Sequence, residues 1–322
     1  MHATSALKIK VSQGSSSFRS PTAPLALASL QMLRLRFTHE LEDDAELDVF
    51  KGAVWHGVFG MALMSVDKQA YCCLFESAQR AAPWRLSPPV NAEKNLIAGT
   101  KLHASVVLFN DAIQHAPACA AAIAQMGIYG FGSNRARARL EDLTGHIGDQ
   151  PVTLQSLFSR HDSAECGLFA DAFFSGAPVI GPKSICLQLV SPLTLKVEGH
   201  VSREAPGMAT LVTRLLGRLV GLLPVMEHGF FNPDQRADLL RAAASVRPAA
   251  MDVRWFEWQR YSGRQKSVMP FGGLIGDISY SIESDEAELI WPWLRMAEWL
   301  GVGSKTTFGH GQIMLITLPN KK

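Results

Sequence analysis

A short segment near the end of the sequence combines glycines, hydroxyl groups and a lysine in a pattern suited to phosphate. Residues 301–313 read GVGSKTTFGHGQI and contain four glycines. Glycine lets backbone N–H groups approach a ligand closely, and a basic residue among hydroxyls suits an anion. The segment lacks the Gly-Lys-Ser/Thr order of mononucleotide-binding loops, which indicates a larger polyanion. The residues expected to contact it are Gly301, Gly303, Ser304, Lys305, Thr306, Thr307, Gly309, His310 and Gly311.

An earlier segment places arginines at every second position. Arg135, Arg137 and Arg139 would lie on one face of a strand over 135–143, because strand side chains alternate between faces. Three guanidinium groups on one face suit phosphate contacts, although a solvated sheet surface would have the same pattern.

A third segment mixes basic and aromatic side chains. Residues 254–266 read RWFEWQRYSGRQK. Basic groups interleaved with aromatic rings can hold a nucleic-acid backbone and stack its bases. The spacing of Phe256 and Trp258 instead predicts that these two rings face the core. The basic residues expected to contact the polyanion are Arg260, Arg264 and Lys266.

The elements that position these segments occur twice. Both 121–140 and 294–313 read as helix, glycine-rich loop and strand. Apolar periodicity in the first half predicts a strand over 27–38, a helix over 49–66, strands near 84–90 and over 101–109, a helix over 111–126 and a strand over 135–143. The second half predicts the same order with a longer helical connection, through 184–197, 208–225, 233–246, 251–261, 272–282, 286–300 and 311–318.

This order predicts an α+β fold of two tandem ferredoxin-like (RRM-like, βαββαβ) domains with a C-terminal glycine-rich loop. We expect the domains to cover residues 26–177 and 183–322, after a flexible N-terminal extension over residues 1–25. Glycines and prolines cluster at the proposed boundary, between 175 and 183.

The composition is that of a folded chain rather than of a disordered one. The 322 residues are 47% hydrophobic and 19% charged, which suffices for two cores. A formal net charge of +2 means that any affinity for nucleic acid must come from local patches. Five cysteines without CxxC spacing favour reduced thiols, and the most apolar run, 211–225, is interrupted by Arg214 and Arg218. We therefore expect a cytoplasmic protein without a membrane segment.

Four stretches of the sequence resemble a known family. Residues 260–280, RYSGRQKSVMPFGGLIGDISY, followed by 294–313, resemble the C-terminal domain of the CRISPR-associated, Cas-six-type endoribonucleases of the RAMP superfamily. Residues 50–63, FKGAVWHGVFGMAL, are similar to the first helix of that family, and 99–110 to its next block. The resemblance extends from about residue 27 to the end. It implies an enzyme that binds CRISPR repeat RNA and cleaves precursor crRNA to mature guide RNA, without a metal or another cofactor.

The resemblance also implies a catalytic histidine on or next to the first helix. In this chemistry the 2′-hydroxyl attacks the scissile phosphate, which requires a base, an acid and a cation. Histidine can serve either proton role at neutral pH. His56 is the first candidate and His39 the second, although His56 could instead be a helix-packing residue; His310 is the third. Lys51, at the first turn of the helix, could neutralise the phosphorane.

A second function fits the same residues. A non-catalytic RAMP subunit that binds guide RNA within a CRISPR effector complex would use the same loop and arginines. The expected partners are therefore CRISPR repeat RNA and other subunits of an effector complex. Cys72 and Cys73 are too few to predict a metal site after the first helix.

Overall fold

The computed structural model describes residues 22–159, 166–175, 184–223, 232–262 and 267–317. Most of the predicted N-terminal extension, the proposed boundary segment 176–183, and Arg264 and Lys266 lie outside the described residues. Arg260 is described through its backbone, which pairs with Met269 in a strand ladder.

The first half of the chain forms an antiparallel sheet covered by helices. The strands of this half are β1 (Gln31–Leu41), β2 (Ala45–Glu46), β3 (Trp84–Ser87), β4 (Asn95–Leu96), β5 (Lys101–Phe109), β6 (Ala138–Ile147), β7 (Gln150–Val152) and β8 (Leu168–Phe169). Strands β2 and β4 pair with each other outside the main sheet. Its α-helices are α1 (Gly52–Val66), α2 (Lys68–Phe75), α3 (Ala116–Tyr129) and α4 (Leu154–Phe158). In the sheet, β3, β5, β1, β6 and β7 are neighbours in that order, and β8 pairs with the start of β1.

The second half forms another antiparallel sheet. The strands of this half are β9 (Ser184–Leu193), β10 (Lys196–Val197), β11 (His200–Val201), β12 (Arg247–Ser262), β13 (Ser267–Ser281) and β14 (Ile313–Thr317). Strands β10 and β11 pair with each other outside the main sheet. Its α-helices are α5 (Met208–Leu222), α6 (Pro233–Ser245) and α7 (Ser284–Leu300). The strand order is β12, β13, β9, β14. Within the described residues, no helix combines the length and the hydrophobicity that crossing a membrane requires.

The two sheets repeat one arrangement, as the internal repeat in the sequence predicts. If the four main strands of each half are numbered in chain order, their order across the sheet is second, third, first and fourth in both halves. The first half has the order β3, β5, β1, β6, and the second half has β12, β13, β9, β14. The prediction of an α+β fold is therefore confirmed.

Alternation along β1 decides which face of the first sheet is covered. Leu33, Leu35 and Phe37 are buried in a core with residues of α1 and α3. Arg34 and Arg36 point to the opposite face, because successive strand residues alternate. That face therefore presents polar side chains toward the second half of the chain.

The two halves also share a hydrophobic core. Leu30 and Met32 at the start of the first sheet, with Val107 and Phe109 of β5, belong to one buried cluster with residues of α5 and α7. Separating the halves would expose these side chains to water, which apolar surface resists. The relative position of the two sheets is therefore stabilised by apolar burial.

The strand predicted over 135–143 begins later than expected, at Ala138. Arg135 has a φ of 50°, in the left-handed region, and lies inside the turn closed by a bridge between Phe131 and Ala136. A residue in that region cannot continue a strand. The prediction that Arg135, Arg137 and Arg139 share one strand face is wrong, because only Arg139 lies in β6.

Candidate functional site

The glycine-rich loop connects α7 to β14, and its backbone requires glycine. Gly301, Gly303, Gly309 and Gly311 all have positive φ. At Gly311, whose φ is 71°, a Cβ atom would lie 1.8 Å from the carbonyl oxygen of Val302. Any other residue would be strained and would clash with that carbonyl, so the path of the loop depends on glycine.

One buried threonine ties the loop to the second sheet. The carbonyl oxygen of Thr194 accepts a hydrogen bond from the N–H of Ser304 at 3.0 Å. Its hydroxyl donates to the carbonyl oxygen of Gly272 at 2.7 Å and therefore accepts from Nδ1 of His310 at 2.9 Å. Thr194 follows β9 and Gly272 lies in β13, so both ends of the loop are anchored to strands. Nothing in the local sequence singles out Thr194 for this role.

His310 supports the loop from inside the protein. It is 2% exposed, and its ring contacts those of Phe50 and Trp258 at centroid distances of 5.3 Å each. Burial, followed by the charge of Lys305, lowers the pKa of His310 to about 3. The imidazole is therefore neutral at physiological pH. His310 positions the loop and does not present a proton-transfer group to a substrate.

His56 connects α1 to the glycine-rich loop. Its Nδ1 lies 3.0 Å from the carbonyl oxygen of Thr307, 251 positions later in the chain. The ring stacks on Phe308 at a centroid distance of 3.8 Å and on Trp84 at 5.6 Å. Helix and loop come close because α1 carries Gly52, where a Cβ atom would lie 1.9 Å from the Phe308 carbonyl oxygen. The half-buried His56 is thus held in one orientation.

The contact with Thr307 decides which nitrogen of His56 carries the proton. A carbonyl oxygen only accepts hydrogen bonds, so Nδ1 of His56 is the donor. In the neutral ring the lone pair is then on Nε2. A positioned imidazole of this kind can act as a general base through Nε2.

Two other predicted catalytic residues are buried, contrary to their expected contact with a substrate. His39 is 0% exposed in β1, its Nε2 lies 3.0 Å from the carbonyl oxygen of Ile123, and burial lowers its pKa to about 4. Lys51 is also 0% exposed, and its Nζ donates to backbone carbonyls that include that of Glu93 at 3.0 Å. Desolvation by burial lowers the pKa of Lys51. Both side chains stabilise the first half from within.

A cleft of about 890 Å³ lies between the first sheet and the second half. The first sheet contributes its polar face, and the second half contributes α7 and β14. The charged and histidine side chains that line the cleft are Arg34, Arg36, Arg85, His103, Asp142, His146, Asp149, Arg295 and Glu298. Sequence reasoning did not single out these residues, although the alternation of Arg34 and Arg36 in β1 was a visible signal.

Arginines of the cleft are held by contacts across the two halves. The guanidinium carbon of Arg34 lies 3.9 Å from the ring centroid of Trp299 in α7. Arg85 is 2% exposed and donates to Ser87 Oγ at 2.6 Å and to the carbonyl oxygen of Glu298 at 3.4 Å. Burial, and then the charges of Arg34 and Arg218, hold the pKa of Arg85 well below its usual range. Several positive charges therefore lie close together where the two halves of the chain meet.

Arg137 and Arg139 lie beside carboxylates. Arg137 is 3.7 Å from Glu42, and Arg139 is 3.4 Å from Glu40 and 3.5 Å from Glu141. These pairs reduce the positive charge that the two arginines offer to an anion. Within the described residues, no group of three or more His, Cys, Asp or Glu side chains could hold a metal ion.

Two family models match the chain. Residues 187–313 match the model of the CRISPR-associated endoribonuclease Cas6, and residues 30–165 match a model described as an N-terminal domain. No curated protein matches the chain.

Solved structures of similar fold include Cas6 of Thermus thermophilus, with a TM-score of 0.59 and 15% identity over 90% of this chain and 100% of that chain. A Cas6 product complex has a TM-score of 0.57 and 16% identity, over 89% of this chain and 100% of that one. A partial Cas6-RT-Cas1–Cas2 complex has a TM-score of 0.59 and 15% identity, over 94% of this chain and 48% of that one. At these identities the structural similarity establishes the shared fold.

Proposed function

Because residues 187–313 match the model of the endoribonuclease Cas6, we propose that the chain is a Cas6-type CRISPR protein that binds CRISPR repeat RNA and cleaves precursor crRNA as a metal-independent endoribonuclease. The observation that carries the proposal is the hydrogen bond between His56 on α1 and Thr307 in the glycine-rich loop. It places a histidine of fixed tautomer beside a segment that carries hydroxyl groups and a lysine. The repeated strand order further supports two tandem ferredoxin-like domains, over 26–177 and 183–322.

In the proposed reaction, Nε2 of His56 takes the proton of the 2′-hydroxyl upstream of the scissile bond. The 2′-oxygen forms a bond to phosphorus, the bond from phosphorus to the 5′-oxygen breaks, and the 5′-oxygen leaves with a proton from solvent. The products carry a 2′,3′-cyclic phosphate and a 5′-hydroxyl. The positive charge of Lys305 in the loop stabilises the phosphorane. Buried Lys51 cannot take this role.

The surfaces that orient the RNA are the loop and the cleft. Arg34 and Arg36 are the arginines of the cleft that are neither buried nor ion-paired among the described residues, since Arg85 is buried and Arg295 pairs with Asp149 and Glu298. Exposed guanidinium groups attract a phosphate backbone. Arg260, Arg264 and Lys266 remain proposed RNA contacts. An RNA substrate also implies that the protein acts in the cytoplasm.

A cleavage assay tests the mechanism. A labelled RNA that spans one CRISPR repeat should be cut in the presence of EDTA, and a 2′-deoxy substitution at the scissile nucleotide should abolish cleavage. His56→Ala should lower the rate by about 10²–10⁴-fold, the usual contribution of a general base. His200→Ala is the matched control, since His200 is exposed in β11. Cleavage that survives the deoxy substitution, or that EDTA abolishes, would overturn the mechanism.

The packing of His56 favours the second candidate, a non-catalytic subunit that binds guide RNA in a larger assembly. A ring stacked on Phe308 could serve only to position the loop. One structural neighbour is itself part of a Cas6-RT-Cas1–Cas2 complex, and we propose that other CRISPR proteins are partners here as well. If the wild-type protein binds repeat RNA without cutting it, this candidate replaces the enzyme.

A further inference from the structure

A second pocket lies between the glycine-rich loop and α5. It has a volume of about 400 Å³. The loop lines it from Gly303 to Thr307, and α5 lines it with Arg214, Gly217 and Arg218. Arg214 and Arg218 are four residues apart and therefore share one face of the helix. A Cβ atom at Gly217 would have nothing within 4 Å, so the space beside the two arginines is open.

All the charged side chains that line this pocket are positive. Its lining contains no Asp or Glu. Among the residues that the structure describes, none of its cationic side chains forms an ion pair, whereas the exposed arginines Arg139 and Arg241 do. The cationic side chains of the lining are Arg80, Lys196, Arg214, Arg218 and Lys305.

Two hydrogen-bond donors in the pocket wall also lack an acceptor among the described residues. Nε of Arg214 and Nη2 of Arg218 are buried and have no partner among the described residues. Arg218 is nevertheless held in place, because its Nε donates to the carbonyl oxygen of Leu300 at 2.8 Å. Buried donors without acceptors are costly, and a bound acceptor would remove that cost. The guanidinium groups of the pocket wall therefore keep hydrogen-bonding capacity that no described residue uses.

Lys305 and Lys196 add to this arrangement. Burial, followed by the nearby charge of Lys196, lowers the pKa of Lys305. Two cations that repel each other are stabilised when an anion lies between them. Guanidinium groups and hydroxyls together suit a phosphate, since the planar fork of arginine matches two phosphate oxygens.

The pocket is directly connected to the proposed catalytic histidine. Thr307 lines the pocket, and its carbonyl oxygen holds Nδ1 of His56. An anion bound here therefore lies beside the backbone segment that orients the imidazole.

We infer that the pocket between α5 and the glycine-rich loop binds a phosphodiester of the RNA chain, with Arg214 and Lys196 as its accessible cations. The inference rests on the proposed function for the identity of the polyanion. It adds a subsite on α5 that binds the RNA chain near the cleavage position.

RNA binding by Arg214→Ala/Lys196→Ala tests the subsite, with fluorescence anisotropy of a labelled repeat RNA across a salt series. We expect Kd to rise by about 10–100-fold and the slope of log K against log salt to fall by about 0.7, the contribution of one phosphate contact on a single strand. Arg236→Ala is the matched control, because Arg236 is an exposed helix arginine outside the pocket. An unchanged Kd and slope in the double variant would overturn the inference. If the double variant fails to fold, Arg214→Met, which keeps the apolar stem, replaces it under the same criteria.

Two further arms separate this inference from its alternatives. Inorganic phosphate that stabilises the wild-type protein against heat, with no effect of the double variant on RNA affinity, would assign the pocket to a small anion instead. RNA without terminal phosphates should bind as tightly as RNA with them if an internal phosphodiester is the ligand. Cleavage is scored separately at saturating RNA. An inactive wild type that shows the Kd difference would refute the nuclease and leave the subsite standing.

Discussion

Replacing Thr194 with valine should loosen the glycine-rich loop without altering its sequence. Valine has the same shape as threonine but lacks the hydroxyl group. The substitution removes the hydrogen bond from Nδ1 of His310 at 2.9 Å and the one to the carbonyl oxygen of Gly272 at 2.7 Å. The backbone contact between Thr194 and Ser304 does not involve the side chain and should persist.

The magnitude follows from the burial of the groups left without partners. Thr194 and His310 are each 2% exposed, so water cannot replace the lost contacts. An unsatisfied buried polar group costs about 1–3 kcal/mol. With one donor and one acceptor stranded, Thr194→Val should lower the free energy of unfolding by roughly 2–6 kcal/mol. Because one end of the loop is released, we also expect RNA affinity to fall by about tenfold, or ~1.4 kcal/mol.

Urea unfolding followed by circular dichroism measures the first effect, and anisotropy with repeat RNA measures the second. Thr194→Ser keeps the hydroxyl group and should lie much closer to wild type in both assays. If Thr194→Val and Thr194→Ser have the same unfolding midpoint, the hydroxyl does not organise the loop. The reasoning from buried hydrogen bonds would then be wrong.

Three other predictions concern parts of the chain away from the loop. The pKa of His39 is lowered to about 4 in the folded chain. Between pH 6.5 and pH 4 this histidine is therefore protonated in the unfolded chain and neutral in the folded chain. The contribution of neutral His39 to the free energy of unfolding should therefore be present above pH 6.5 and fall by about 2–3 kcal/mol between pH 7 and pH 4.5. In urea unfolding, His39→Leu should show a smaller difference between these two pH values. Gly57→Ala should raise the free energy of unfolding by about 0.5–1 kcal/mol, because its Cβ meets nothing within 4 Å in α1. Gly127→Ala should lower it markedly, since its Cβ would lie 1.8 Å from the carbonyl oxygen of Ala138; equal thermal stability of the two variants would refute the packing described for α3. Arg139→Ala should change the Kd for repeat RNA less than twofold because Arg139 lies near carboxylates, and a tenfold loss would show that those pairs open on binding.

Much of the architecture was predictable from local patterns. Alternation in β1 and apolar periodicity in α1 depend on neighbours only a few positions apart, so they indicate which face of each element is buried. The repeated helix, glycine-rich loop and strand indicated two similar halves. Arg135 was misplaced because a turn with positive φ preceded the strand, and alternating arginines alone do not reveal such a turn.

The candidate site was less predictable, because burial depends on the whole fold. Lys51 and His39 have the residue types that catalysis requires and lie near or before the first helix, yet both are 0% exposed. His310 has the right position in the loop but faces inward. Among the histidines proposed for catalysis, only His56 combines partial exposure with a contact to the loop, and that contact spans 251 positions.

The sequence by itself determined the order of helices and strands, the need for glycine in the loop, and which segments carry arginine and lysine. Tertiary structure alone decided which of those cations meet. Arg214 and Arg218 interrupt an apolar run in the sequence, but packing of α5 against the loop turns them into the wall of a pocket. The physical reason is that local propensity acts over a few residues, whereas the distance between two side chains far apart in the chain results from every contact that packs the elements between them.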